Sequence, residues 1–377
     1  MLILPACTSV DTEPSAIATQ LASGNGVSFA LTSTGSVRAW GYPDTSGIAT
    51  TDRIQAPTTI PGLEAGVAGI SSYGGDDACV VMTDGTVQCW GANDDGEVGT
   101  GDTSMVVTPT PVAGISGATE VAMGGTFACA LVGDGVQCWG SNASHQLGIG
   151  DGSDGAPAPD HAYTPVVVAG LEHGVARIAT GYDHLCASMT DGRLICVGSN
   201  ALGELGISSD ADPTHVDIQP SNAGDPLIAT PGITATSVGL GYHWSVVATT
   251  SGQVKVFGDN DDGDQLGLGP DGPFQEQLSP VNILDVPASA TNVSAMCAVA
   301  SGDVWCWAGS STSSDPSTPA KVAGLANITQ ISGDISPCAL DGNGAVFCWG
   351  EGANYQLGDG HAYDATVTTP VAVLSFP

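Results

Sequence analysis

The chain has 377 residues, including 53 glycines and 23 prolines, and only 12% of its residues are charged. Its net charge is −33 with only six lysines and arginines, so almost no cation is present to displace counterions from a phosphate backbone or to bind anionic lipid. The composition therefore excludes a nucleic-acid partner, while the 42% apolar fraction and the many turn-forming residues predict a folded all-β protein rather than a disordered one.

The N-terminal segment 1–15 is predicted to be a signal remnant and tether. Its stretch Leu4-Pro5-Ala6-Cys7 resembles a bacterial lipobox, in which an apolar and a small residue precede a lipidated cysteine. Only six residues precede Cys7, which is fewer than a complete signal peptide contains. We predict lipidation at Cys7 as the one membrane contact, because no later segment is long and apolar enough to span a bilayer.

From residue 16 onward the chain repeats a unit of about fifty residues. Each copy contains an apolar strand, a β-hairpin with an Asp-Gly or similar turn, a glycine-rich loop that often ends in "xLG", and a Pro-led strand. Seven such units of about four strands predict a seven-bladed β-propeller. The repeats lie near 16–66, 67–117, 118–173, 174–233, 234–289, 290–325 and 326–377.

The final apolar segment, "PVAVLSF" at 370–376, has no repeat after it, and the first repeat has no Pro-led strand before it. We predict that this last strand completes the first blade and so closes the ring. Deletion of 370–377 is then expected to open an unpaired edge.

Two stretches carry a family resemblance: "GYDHLCASMTDGRLICVGSNALGELG" at 181–206 and "CWGSNASHQLG" at 138–148. Their order of Gly, His, hairpin, Trp-Gly-x-Asn and Gly-Gln-Leu-Gly resembles the regulator of chromosome condensation (RCC1) repeat. The resemblance covers essentially the whole chain, implies a seven-bladed propeller, and suggests a bacterial secreted or lipoprotein-type member. It also implies guanine-nucleotide exchange on a small GTPase, which is the activity of a nuclear, chromatin-associated member. The net charge and the paired cysteines of this chain disfavour that activity.

Ten of the eleven cysteines form pairs nine or ten residues apart across a hairpin turn. Such positions face each other on antiparallel strands with Cα atoms about 4.5–5.5 Å apart, so we predict five disulfides and an oxidising compartment. Buried free thiols are the alternative, whereas a zinc site needs converging ligands that one pair per blade does not supply. The pairs are Cys79/Cys89, Cys129/Cys138, Cys186/Cys196, Cys297/Cys306 and Cys338/Cys348, and the two remaining repeats carry Phe29/Ala39 and Ser245/Val256 instead.

No motif supplies a catalytic, cofactor-binding or metal-binding residue with enough specificity to be assigned. The acidic loops at 91–99 and 258–267 lack the first ligand of an EF-hand-type calcium loop, so we expect them to cap turns. His184 and His243 are aligned in one slot that holds unrelated residues in the other repeats, so we interpret both as structural. The tryptophans that follow the hairpins are expected to pack between blades.

The loop between the "xLG" glycine and the next Pro-led strand varies most in length, and it is longest at 149–164 and 207–225. Insertions at one point of a repeat emerge on one side of the disc and often form its binding face. We predict that these two loops contact the partner; tolerated, solvated insertions are the alternative. The predicted contact residues are Asp151, Asp154, Asp160, His161, Asp210, Asp212, His215 and Asp217.

These features together predict a non-enzymatic, extracytoplasmic scaffold that binds an unidentified protein or surface glycan and is a monomer. The compartment is the bacterial envelope or exterior, where the acidity keeps the protein soluble. A secreted hydrolase or lyase that uses carboxylates in the central funnel is the alternative, and nucleotide exchange is a weaker one.

Overall fold

The structure is a computed structural model that describes residues 16–376 except 25, 75–76, 151–157, 208–226, 261–264, 271, 273–274 and 311–316. The segment with Cys7 therefore lies outside the described residues. Within the described ranges all regular structure is β-strand, apart from one short 3-10 helix at Ala308–Ser310. None of the described residues belongs to a helix that is long and apolar enough to cross a membrane.

The strands follow one another in blade order. The first three blades contain β1 (Ala18–Ser23), β2 (Val27–Thr32), β3 (Val37–Gly41), β4 (Ile54–Thr59), β5 (Val67–Tyr73), β6 (Asp77–Met82), β7 (Val87–Gly91), β8 (Val106–Pro111), β9 (Ala118–Met123), β10 (Phe127–Val132), β11 (Gly135–Ser141) and β12 (His161–Val167). The other four contain β13 (Val175–Thr180), β14 (His184–Met189), β15 (Leu194–Gly198), β16 (Ala235–Leu240), β17 (Trp244–Thr249), β18 (Val254–Gly258), β19 (Gln277–Asn282), β20 (Ala290–Val293), β21 (Cys297–Ala300), β22 (Asp303–Cys306), β23 (Ala320–Lys321), β24 (Ile328–Ser332), β25 (Cys338–Asp341), β26 (Val346–Gly350) and β27 (Val367–Ala372).

These strands form seven antiparallel sheets, which are the blades of a seven-bladed β-propeller, as the sequence predicts. Six sheets have four strands in chain order. In the fourth blade the described strands are β13, β14 and β15, and a bridge between Ile195 and Ala229 marks the position of the outer strand. The first strand of each blade is innermost, so these seven strands surround the central channel.

The five predicted cysteine pairs are all joined as disulfides, which confirms the predicted pairing. In each pair the two residues lie directly opposite each other on the second and third strands of one blade. All ten residues are fully buried. The disulfides join Cys79 to Cys89, Cys129 to Cys138, Cys186 to Cys196, Cys297 to Cys306 and Cys338 to Cys348.

Two details of this pairing differ from the prediction. The paired Cα atoms are 4.0–4.2 Å apart, closer than the expected range, because the covalent bridge draws the two strands together. The separation of Cys89, Cys196 and Cys348 from their partners is correspondingly 4.1 Å in each case. In the fifth blade the residue opposite Val256 is Val246, which corrects the predicted Ser245 by one position.

The tryptophans that follow the hairpins pack between blades, as expected. Each of these indole N–H groups donates to a backbone carbonyl of the preceding blade at 2.8–3.1 Å, so the polar edge of a buried ring is satisfied. The five bonds run from Trp40 to Gln356, Trp90 to Thr45, Trp139 to Glu97, Trp307 to Gln265 and Trp349 to Ser310. In the fourth and fifth blades Val197 and Phe257 are fully buried at this position, so apolar packing replaces the hydrogen bond there.

The prediction that the last strand completes the first blade is wrong. Strand β27 pairs with β26 and so belongs to the seventh blade, while β1 to β4 already supply the first blade in full. Every repeat therefore builds its own sheet, and no strand is exchanged among the described residues. The ring closes through side chains instead: the Trp40 indole reaches Gln356, and Phe376 packs against the Trp40 ring with centroids 6.3 Å apart.

Candidate interaction face and its histidine–carboxylate cluster

The central channel has a volume of about 720 Å³ and is lined by the innermost strands. In several blades the third residue of the innermost strand directs a polar side chain toward the next blade. Gln20 bonds the backbone of Ile70, Asn292 accepts from the N–H of Ile331, and Gln330 bonds the backbone of Leu21. The channel wall is thus polar, and these groups are used to hold neighbouring blades together.

The channel wall also contains one ion pair, between Arg177 and Glu120. Arg177 donates from Nε to Glu120 Oε1 at 3.2 Å, and the Arg177 side chain is largely exposed in the channel. Burial raises the pKa of Glu120, although Arg177 and the N–H of Ile178 act in the opposite direction. Among the third-position residues of the seven inner strands, Glu120 is the one carboxylate.

The loops that connect the first and second strands of each blade surround one mouth of the channel, where Gly74, Ser294 and Asp334 contribute to its lining. We call this side of the disc the AB face. In an antiparallel four-stranded blade the loops between the third and fourth strands emerge on the same side. The described ends of the third-blade loop, at 149–150 and 158–160, lie on this side of the disc. Residues 151–157 and 208–226 lie outside the described ranges, so the partner contact of the two long loops stays a prediction.

Two stacked tyrosines, the half-buried Tyr182 and the exposed Tyr242, lie on the AB face of the fourth and fifth blades. Tyr182 and Tyr242 are stacked with ring centroids 4.0 Å apart, and Tyr242 is 46% exposed. Tyr182 lies over Gly125, where a Cβ atom would be only 2.2 Å from its ring, so glycine allows this close approach. The hydrogen bond with Tyr242 is the main cause that raises the pKa of Tyr182 to about 12, and burial contributes further.

A histidine–carboxylate cluster, formed by Asp183, Glu204 and His243, lies next to the tyrosines. Each side chain directs one ligand-type atom to a common point, and these atoms all lie within 4.8 Å of one another. The His243 Nδ1 atom is 3.4 Å from Glu204 Oε1 and 3.9 Å from Asp183 Oδ1. Glu204 is fully buried, Asp183 is mostly buried, and the His243 side chain is 27% exposed.

The protonation of this cluster is coupled. Burial opposes ionisation of Glu204, but His243 and His184 hold the pKa of its carboxyl below the ordinary value. The same contact with Glu204, opposed by burial, raises the pKa of His243. By contrast, burial raises the pKa of Glu97, which occupies the same repeat position as Glu204 in the second blade.

His184 is the fully buried neighbour of the cluster. Its Nε2 atom is 3.2 Å from the Ser245 hydroxyl, and that hydroxyl donates to the Glu204 carbonyl oxygen at 2.7 Å. The hydroxyl proton is thus used, so Nε2 carries the proton that binds Ser245 Oγ. His184 Nδ1 has no hydrogen-bond partner among the described residues and lies 3.9 Å from Asp183 Oδ1.

The alignment of His184 with His243 is wrong by one residue. His184 opposes Gly198 in the strand pairing, whereas Trp244 opposes Gly258 in the next blade. His243 therefore corresponds to Asp183, and the shared Gly-Tyr of "GYDH" and "GYHW" was the sequence signal for that register. Since neighbouring residues point to opposite sides of a strand, the slip concealed the cluster.

Of the eight predicted contact residues, the structure describes two. Asp160 and His161 lie on the AB side, and His161 Nε2 is 3.1 Å from Asp95 Oδ1. His161 is the first residue of β12 rather than part of a loop, because it pairs with Ser141. Six predicted contacts lie outside the described residues: Asp151, Asp154, Asp210, Asp212, His215 and Asp217.

The described part of the acidic loops caps turns, as expected. Asn93 has a positive φ of 68° and is fully buried. Its Oδ1 atom accepts from the N–H of Val98, and its Nδ2 group donates to the carbonyls of Asp102 and Ser104. In the second acidic loop Asn260 accepts from Leu266 in the same way, while residues 261–264 lie outside the described ranges.

Comparison with known proteins agrees with this architecture. The model of the regulator of chromosome condensation (RCC1) repeat matches residues 84–131 and 343–377, and a second model of that repeat matches 167–204. These matches identify RCC1-like repeats in the chain. The matched segments fall in the second to fourth and the seventh repeats of this RCC1-like propeller.

Curated relatives of this RCC1-like protein are larger than the matched region. The human E3 ubiquitin-protein ligase HERC2 is 28% identical over 204 residues, which cover 49% of this chain and 4% of HERC2. The mitochondrial RCC1 domain-containing protein RUG3 of Arabidopsis thaliana is 27% identical over 226 residues, which cover 54% of this chain and 48% of RUG3. The chain thus spans less than half the length of both relatives.

A solved structure shares the fold along nearly the whole chain. Prp20p from Saccharomyces cerevisiae superposes with a TM-score of 0.56 at 20% sequence identity, covering 94% of this chain and 76% of Prp20p. At this identity the likeness shows the fold of the RCC1-like propeller, and its function has to be argued from its own surface.

Proposed function

We propose that this RCC1-like propeller is a non-enzymatic, extracytoplasmic scaffold that captures a protein partner on its AB face. The observation that carries the proposal is the stacked tyrosine pair beside the channel mouth, in which Tyr242 is exposed and the half-buried Tyr182 supports it. Aromatic side chains on a rigid framework are typical anchors of protein interfaces, because they bury a large area with few rotatable bonds. Each tyrosine lies two residues before a strand, β14 or β17, which fixes its position.

The surrounding surface favours a partner with a basic rim. The net charge is −33, and Asp95 and Asp183 lie near the tyrosine pair. Charge complementarity of this kind accelerates association and selects among partners. Solved structures of the same fold support protein binding: Prp20p was analysed for binding to Gsp1p and histones, and the yeast protein was also crystallised with Kap60 bound.

The proposed compartment rests on the disulfides. Five fully buried disulfides are expected to form and persist in an oxidising environment, outside the cytoplasm. Lipidation at Cys7, a bacterial envelope location and a monomeric state remain parts of this proposal. The alternative of an enzyme that uses funnel carboxylates is less favoured, because Glu120 is paired with Arg177 and the other carboxylate among the described channel-lining residues, Asp334, belongs to the seventh blade rather than to a neighbour of the third.

The proposal is tested by site-specific photo-crosslinking in native cells. A photoreactive residue at position 242 is expected to form a protein adduct, whereas the same residue at position 17, which is 47% exposed on the opposite side of the disc, is expected not to. Equal adducts at both positions, or none at 242, would reject the AB face. An adduct sensitive to glycosidase rather than protease would replace the protein partner with a surface glycan.

The isolated partner then provides a quantitative check. The double substitution Tyr182→Ala and Tyr242→Ala is expected to weaken its affinity by more than about tenfold, as hot-spot aromatics do. Ile17→Ala is the control for general effects on the disc. An unchanged affinity of the tyrosine variant would show that the pair is not the anchor.

A further inference from the structure

We infer that Asp183, Glu204 and His243 form a binding site for one divalent transition-metal ion of the Zn²⁺ type. The three ligand-type atoms are two carboxylate oxygens and an imidazole nitrogen, which converge within 4.8 Å. An imidazole among carboxylates favours Zn²⁺ or a similar ion over Mg²⁺ and Ca²⁺, which prefer oxygen ligands alone. Three protein ligands leave a coordination position open on the AB face, where His243 and Asp183 are partly exposed.

The distances within the site fit such an ion. Ligand atoms bound to tetrahedral Zn²⁺ at about 2.0–2.2 Å are separated from one another by about 3.3–3.6 Å. His243 Nδ1 and Glu204 Oε1 are 3.4 Å apart, within this range. His243 Nδ1 and Asp183 Oδ1 are 3.9 Å apart, and the Asp183 and Glu204 ligand atoms lie within 4.8 Å of each other, so metal binding requires Asp183 to move inward.

The unpartnered atoms at the site point to the same ligand. Asp183 Oδ1 and His184 Nδ1 are buried without a hydrogen-bond partner among the described residues, and His243 Nδ1 has Glu204 Oε1 as its nearest polar contact at 3.4 Å. His184 Nδ1 lies 3.9 Å from Asp183 Oδ1, so a buried imidazole nitrogen faces the Asp183 carboxylate at the edge of the site. A buried carboxylate oxygen without a donor is unfavourable, and a cation bound by Asp183 Oδ1 would satisfy that atom.

The other carboxylate oxygens are held in the way that metal ligands are. Glu204 Oε2 accepts from the N–H of Leu202 at 2.9 Å, and its Oε1 accepts from Ser199 Oγ at 3.0 Å. Asp183 Oδ2 accepts from Ser144 Oγ at 3.3 Å. Outer-sphere hydrogen bonds of this kind orient carboxylate ligands toward a metal.

The repeat itself shows that the charge of Glu204 is not required by the fold. Gln146 and Gln356 occupy the same position in other blades, and each accepts from a backbone N–H two residues earlier, as Glu204 does. A glutamine therefore satisfies the turn. Glu204 differs from these glutamines in its charge, and it differs from Glu97, the buried carboxylate at this position in the second blade, in having His243 and Asp183 beside it.

The test is calorimetric titration of the full, disulfide-intact chain with ZnCl₂ after removal of metals with a chelator. Cys7 is alkylated so that no free thiol competes, and excess Mg²⁺ occupies the weak carboxylate sites of the acidic surface. One Zn²⁺ per chain is expected to bind. Co²⁺ is expected to give the visible absorption of a tetrahedral site with nitrogen and oxygen ligands.

Matched variants decide the assignment. Glu204→Gln and His243→Thr, which copies Thr126 of the third blade, are each expected to weaken Zn²⁺ binding by at least about tenfold. Glu97→Gln makes the same chemical change in the second blade and is expected to leave it unchanged. The proposed site would be overturned if Glu204→Gln bound Zn²⁺ as tightly as wild type does. It would also be overturned if Glu97→Gln lost as much Zn²⁺ affinity as Glu204→Gln does. The thermal midpoints without metal show whether each variant is folded.

Discussion

Gln330 and Leu21 are 309 residues apart in the chain, yet the Gln330 side-chain amide bonds both the N–H and the carbonyl of Leu21, at 3.0 and 3.1 Å. Gln20 makes the same two bonds to Ile70, at 3.2 and 3.0 Å, between the first and second blades. The interface that closes the ring is thus built like an interface between consecutive blades. The ring closes without an exchanged strand, because side-chain hydrogen bonds join the seventh blade to the first.

This equivalence predicts that Gln330→Ala and Gln20→Ala reduce stability equally. Each substitution removes one side chain and leaves two backbone groups without their partner, so a loss of about 1–3 kcal/mol in the free energy of unfolding is expected. Denaturant unfolding of both variants measures it. If the closing interface opened independently of the others, Gln330→Ala would have the smaller effect, and the ring would not unfold as one unit.

The disulfides are predicted to stabilise each blade separately. The chain-entropy model gives about 2–3 kcal/mol for a loop of about ten residues. Cys129→Val with Cys138→Val is the suitable variant, because Val246 and Val256 fill the same opposed positions in the fifth blade. The expected loss in unfolding free energy is up to this amount, measured without reductant.

The control for that variant is wild type unfolded under reducing conditions, in which all five disulfides are broken. A combined loss much larger than that of the single pair is expected. A Val/Val variant as stable as wild type would show that the apolar packing of these positions, rather than the covalent bond, supports the hairpin.

Asp334 at the channel mouth is predicted to destabilise the fold at neutral pH. Burial raises the pKa of its carboxyl, an effect that the N–H of Ile335 only partly offsets. The unfolded chain therefore loses this proton at lower pH than the folded protein does, and stability falls as the pH rises from the unfolded pKa through the folded one. Asp334→Asn is expected to be more stable than wild type at pH 7 and equal to it below about pH 3.

Asp84→Asn provides a control of opposite sign. Thr86 donates to the Asp84 carboxylate from its hydroxyl and its N–H, and these bonds lower the pKa of that exposed group. The stability contributed by the ionised Asp84 carboxylate is present above the pKa of the unfolded chain and is lost as the pH falls through the pKa of the folded protein. Asp84→Asn is therefore expected to destabilise the protein at neutral pH. A pH-independent difference for Asp334→Asn would contradict the assignment.

The features that depend on local spacing could be predicted from the sequence. The predictions failed where the start of a blade or the register of a strand had to be chosen. The cysteine pairs, such as Cys186 with Cys196, and the four-strand units follow from distances of about ten and fifty residues, which two neighbouring strands fix by themselves. The spacing does not determine which blade β27 joins, since a repeat of four strands can be divided before or after its Pro-led strand. His243 was missed for the same reason: a shift of one residue moves a side chain to the other side of its strand.

The corrected closure makes Phe376, rather than a whole exchanged strand, the last contact of the ring. Phe376 is 7% exposed and packs on Trp40 of the first blade, while Leu374, two residues earlier, is 44% exposed. Phe376→Ala is expected to lower the unfolding free energy by about 3 kcal/mol, because it removes a buried ring from a packed cluster. Leu374→Ala on the same segment is expected to lower it by less than about 1 kcal/mol. Equal effects would mean that the C-terminal segment does not hold the first and seventh blades together, and closure would then depend on hydrogen bonds such as those of Gln330 and the Trp40 indole.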